Sequence, residues 1–128
     1  MTPYDVIEAE VSNAASLQDG TVALERLLSG GYAVWDDDSL YRIKQLVGRV
    51  HGMKIEIYAR EHPPPHFHIA GGDVDATFSL VDCSLLEGKV SGRELALVNW
   101  WYRRSRSMLL DTWNRTRPVN CPVGPVLE

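Results

Sequence analysis

Three of the four histidines in this chain fall within seven residues, in the run Glu61-His62-Pro63-Pro64-Pro65-His66-Phe67-His68. Neutral imidazole is the commonest protein metal ligand. Two histidines at i and i+2 on a β-strand project from the same face, a spacing that His66 and His68 meet. His62 lies one turn of polyproline away, and Pro63 to Pro65 hold it there at low entropic cost. Three imidazoles around an open position suit zinc or another divalent first-row metal and can activate a bound water. Asp75 and Glu61 are the carboxylates expected to serve as general base or to orient a ring. Without a metal, the same residues make an acid–base or anion-contacting surface.

The elements that must gather these side chains show in the hydropathy pattern. Met53, Ile55, Ile57 and Ala59 alternate with Lys54, Glu56, Tyr58 and Arg60, which predicts a half-buried strand. After the proline break, His66 to Ala70 reads as a second strand, Gly71-Gly72 as a hairpin turn, Val74 to Leu80 as a third strand and Leu85 to Val90 as a shorter fourth. Pairing Ile69 with Val74 puts Phe67, Ile69, Val74 and Ala76 on an inner face. It sets His68 opposite Asp75, and His66 opposite Thr77, on the outer one. Glu56, Tyr58 and Arg60 join that outer face if the first strand lies alongside. His51 reads as a turn residue and Cys83 as a small buried hydrophobe.

The first fifty residues read as helical. The segment from Thr21 forms a short amphipathic helix that Gly30-Gly31 would close with a left-handed cap. Asp36-Asp37-Asp38-Ser39 reads as the capped start of a second helix through Leu40, Ile43, Leu46 and Val47. Ser91 and Glu94 form a capping box that opens the longest helix, to about Thr116. Leu95, Val98, Trp101, Tyr102, Leu109 and Trp113 share its apolar face. Trp100 falls on the other side, with Arg93, Arg103, Arg104 and Ser107. An exposed tryptophan with guanidinium groups at i+3 and i+4 suits base stacking with phosphate contact. The same residues also suit a structural role, with Arg stacked on Trp and Trp covering the N-terminal helices. Residues 1–48 hold eight acidic side chains against three basic ones, and residues 91–117 hold six arginines against Glu94 and Asp111. The acidic third can therefore lie on the basic helix and neutralise it.

With 128 residues, 45% hydrophobic and 23% charged, the chain has the composition of one globular domain and excludes separate cofactor and substrate modules. Its longest apolar runs are four residues, too short for a membrane span or a signal-peptide core. Cys83 and Cys121 form no ligand pair or redox motif, in keeping with a reducing cytosol. No glycine-rich phosphate loop, serine or cysteine nucleophile motif or zinc-finger spacing is present.

From about Val50 to Pro118 the chain resembles a small bacterial domain, the domain-of-unknown-function family numbered 4160. The resemblance is carried by Glu61, His62, Pro64, Pro65, His66 and His68, then by Leu86-Glu87-Gly88 and Trp113. It implies a compact α+β fold and, from the family's frequent pairing with another small gene, a toxin–antitoxin-like module. No reaction comes with it. The expected architecture is α+β: a small antiparallel sheet of three to four strands on a long C-terminal helix (residues 49–118), a helical N-terminal extension (1–48) and an extended tail (119–128). The expected function is that of a cytosolic hydrolase or nuclease-like effector, with zinc or another divalent metal on His62, His66 and His68 and with Glu61 and Asp75 as catalytic carboxylates. The alternative is a non-enzymatic module that pairs with a small cognate partner protein, or contacts nucleic acid, through Trp100, Arg103 and Arg104.

Overall fold

The computed structural model describes residues 3–30, 32–42, 53–57, 65–71 and 74–116. Two helices come first, α1 (Pro3–Ser12) and α2 (Leu17–Ser29). Ser16 starts α2 as an N-cap, its backbone extended and its hydroxyl accepting from the Asp19 N–H at 3.1 Å. That satisfies one of the donors a first helical turn leaves open. Ala23, Leu24, Leu27 and Leu28 bury one stripe of the helix. The expected left-handed cap is not found at Gly30, whose φ is −91°; Gly31 lies outside the described residues.

The acidic run does not open a helix. It forms the turn of a hairpin between β1 (Tyr32–Val34) and β2 (Leu40–Arg42). The Trp35 N–H donates to Ser39 O and the Asp38 N–H to Trp35 O, while Asp37 Oδ1 accepts from both the N–H and the hydroxyl of Ser39. Asp38 has φ 71°, a left-handed conformation that short polar side chains tolerate. Aspartate competes for local backbone donors as readily in turns as at helix starts, and here the turn wins. Ile43, Leu46 and Val47 of the expected helix, together with His51, lie outside the described residues.

The main sheet is antiparallel throughout, in the order β3 (Lys54–Ile57), β4 (His66–Gly71), β5 (Val74–Ser79), β6 (Leu85–Lys89). Gly71 pairs with Val74, so the β4–β5 register is two residues beyond the expected one: His68 lies opposite Thr77, and His66 opposite Ser79. Gly71 permits this longer strand, because a Cβ there would sit 2.7 Å from Met53 Cα on the neighbouring chain segment. A shift of two residues preserves the faces. Phe67, Ile69, Val74, Ala76 and Phe78 are buried on the inner side. A bulge breaks the β5–β6 register between Thr77 and Phe78.

Helix α3 (Gly92–Thr116) is opened by the expected capping box: Glu94 N–H donates to Ser91 Oγ and Ser91 N–H to Glu94 Oε1. One side of α3 packs on the sheet, where the Tyr102 ring stacks on Phe67 and its hydroxyl donates to Leu80 O. The other side takes α1, α2 and β1. Trp101 bridges both, tilted against Phe67 while its indole N–H donates to Gly20 O in α2. Ile7, Val11 and Leu24 therefore belong to the same apolar core as Phe67, Phe78 and Trp113. No described helix is long and apolar enough to cross a membrane.

Candidate functional site: the outer face of the sheet

The strand register builds a polar row across the open face. Glu56 on β3 is directly opposite His68 on β4, which is opposite Thr77 on β5, which is opposite Glu87 on β6. One step along, Lys54, Ala70, Asp75 and Lys89 form a second row. Across the rows, His68 Nε2 lies 2.5 Å from Asp75 Oδ1. This is the diagonal i, j−2 contact that long side chains reach between adjacent strands. The imidazole is 24% exposed and the carboxylate 83%, so the ring is held against the sheet while its partner faces solvent. A carboxylate on one ring nitrogen sets the tautomer and orientation of the ring and leaves Nδ1 as the free lone pair.

Of the expected site residues, the structure brings His68 and Asp75 into contact and places His66 on the same face, two residues along β4. His62 and Glu61, with Tyr58 and Arg60, lie outside the described residues. Among the described residues, no group of three His, Cys, Asp or Glu side chains is placed to hold a metal ion. Glu87 and Lys89 were not expected at this site. Their alternation in the sequence is interrupted by the bulge, so a plain two-residue period from Leu85 does not assign them a face.

On the Arg–Trp helix the structure shows the structural role, with Arg stacked on Trp, and not the exposed base-stacking one. Trp100 is fully buried, which removes its ring from base stacking. Its indole N–H donates to Asp38 O at 3.0 Å, and the Arg104 guanidinium lies 3.8 Å above its ring. Arg103 donates to Asp38 Oδ1 at 2.7 Å and Arg104 to Oδ2 at 3.1 Å. Burial raises the Asp38 pKa, but the bonds and charges of both arginines outweigh it and hold the carboxyl below its usual range. The acidic N-terminal third thus does lie on the basic helix, through this residue. Cys83 is buried as expected, and desolvation pushes its thiol up to about 12, leaving it an unreactive hydrophobe.

Residues 52–114 match the model of a family described as a domain of unknown function (DUF4160). Over these residues the chain is similar to that family. The DUF4160-like segment contains the whole of β3 to β6, nearly all of α3, and every residue of the two polar rows. The α1, α2 and β1–β2 elements, with Asp38, precede it. No curated protein and no solved structure matches the chain.

Proposed function

We propose that the outer face of the sheet is the functional surface of this protein, and that it acts there as a small hydrolytic, nuclease-like effector using His68 for proton transfer. The contact between His68 Nε2 and Asp75 Oδ1 carries this reading. An imidazole held by a carboxylate presents one basic nitrogen in a fixed direction, which general-base catalysis requires. Glu56, directly across β3, is a second carboxylate able to hold or return a proton. The face is open along four strands and so suits a polymer laid across it better than a small molecule needing enclosure. Such an effector is the kind of component that a toxin–antitoxin-like pair would contain.

A divalent metal is the second reading, favoured by His66 and His68 at i and i+2. With Nε2 of His68 held by Asp75, Nδ1 is left as a ligand, the carboxylate–imidazole–metal arrangement, and His62 would complete the set. A non-enzymatic module working through Trp100, Arg103 and Arg104 has weaker support, because Asp38 already engages all three.

Hydrolysis of RNA and single-stranded DNA by the full chain tests the proposal. Under the proton-transfer reading, His68→Asn lowers the rate by roughly 10²–10⁴-fold, Asp75→Asn lowers it less, and a chelator leaves it unchanged. Under the metal reading the chelator abolishes it, and the purified protein carries stoichiometric metal. Full activity in His68→Asn would sink both.

A further inference from the structure

Among the described residues β3 is the last strand on its side of the sheet. Its outer edge therefore carries backbone groups that no described strand pairs, a surface ready to add another strand. At its start the Met53 N–H donates to Glu25 Oε2 at 3.4 Å. Beside the edge, a groove of about 580 Å³ runs between α2 and β3, lined by Leu17, Thr21 and Val22 on one side and Met53, Ile55 and Glu56 on the other. Val22 is 46% exposed there. Lys54 and Glu56 are exposed, and neither makes an ion pair with another described residue.

The strand Met53-Lys54-Ile55-Glu56-Ile57 is complementary to itself when run antiparallel. About a two-fold axis through Ile55, Lys54 meets Glu56 of a second copy and Glu56 meets its Lys54. Ile55 then meets Ile55, and Met53 meets Ile57. Moving the axis to Lys54 or to Glu56 sets like charges opposite each other, which is unfavourable on a sheet. One register is thus selected, with apolar pairs on the inner face and opposite charges on the outer.

We infer that β3 is the contact through which two copies of this chain associate, their sheets continuing across an isologous two-fold interface. The second copy also enters the polar row, since its Lys54 lies beside Glu56, which faces His68. That consequence rests on the proposed role of the His68 face; the pairing itself does not, and its test involves no activity.

Sedimentation velocity and light scattering on the full chain decide the matter. The wild type is expected to be a dimer. Lys54→Glu and Glu56→Lys each turn two attractive cross-strand pairs into repulsive ones, so each should raise the dimer Kd roughly tenfold or more. An equimolar mixture of the two variants restores both charge pairs and should dimerise as the wild type does. Circular dichroism confirms that both exposed substitutions leave the fold intact. A wild-type monomer, a dimer indifferent to both substitutions, or folded variants whose mixture stays monomeric would each overturn the inference.

Discussion

At one residue, Asp38, three α3 side chains meet the N-terminal third. The Asp38 carbonyl takes the Trp100 indole N–H, and its carboxylate takes Arg103 and Arg104. Because its folded pKa lies below the unfolded value of 3.8, ionised Asp38 stabilises the protein above 3.8. That contribution declines as the pH falls from there through the folded pKa. Asp38→Asn keeps a side chain that tolerates the positive φ while removing the charge. We expect it to cost about 0.5–1 kcal/mol at neutral pH, since the pairs are half-exposed and screened, and to flatten the acid limb of stability. Urea unfolding across a pH series measures both effects. An unaltered acid limb in Asp38→Asn would show that the two arginines do not act through this carboxylate. Nothing near Asp38 in the sequence announces this role. Its partners are 65 and 66 positions away, and a run of aspartates reads equally as a helix start or a turn.

The elements that carry the candidate site were the most legible, because strands declare themselves by a period of two. The alternation from Met53 and from His66 located β3 and β4, and a register error of two residues left His66, His68 and Asp75 on one face, where an error of one would have scattered them. The β1–β2 hairpin was not legible: each strand has only three residues, too few to show a period. The bulged strand β6 was legible in extent but not in orientation. Gly88 shows why it bends: its φ is +91°, and a Cβ would lie 2.3 Å from Asp75 O and 2.9 Å from Ala76 Cα. Gly88→Ala therefore strains the backbone and pushes β6 off β5 at the point where Asp75 is held. We expect a loss of more than about 1 kcal/mol, with hydrogen exchange accelerated first in β6 and with the His68–Asp75 contact loosened. Stability and β6 protection equal to wild type would mean that β6 is not restrained by its pairing with Asp75 and Ala76.

At the scale of the whole molecule, the boundary of the DUF4160-like segment and the boundary of the core do not coincide. Residues 52–114 include all of the four-stranded sheet, yet α3 has two apolar sides, and among the described residues the second is covered by α1, α2 and β1. Without them Trp100 and Leu97, both fully buried, would stand in water, and Trp101 would lose its acceptor at Gly20. Arg93 would lose the carbonyls of Tyr32 and Leu28. Exposing a tryptophan and a leucine forfeits several kcal/mol, at roughly 1.5–3 kcal/mol for each large apolar side chain, against a total stability of only about 5–15 kcal/mol for a domain. A fragment starting at Met53 should therefore be aggregation-prone or only partly ordered, although it keeps every residue of the polar rows. Adding the N-terminal segment in trans should raise its solubility and its spectral dispersion. Two-dimensional NMR of the fragment, alone and with a peptide spanning residues 1–42, reads this directly. A well-dispersed, monomeric spectrum from the fragment alone would show that α3 can repack its second face, and that the N-terminal elements are an addition to a self-sufficient fold instead of half of its core.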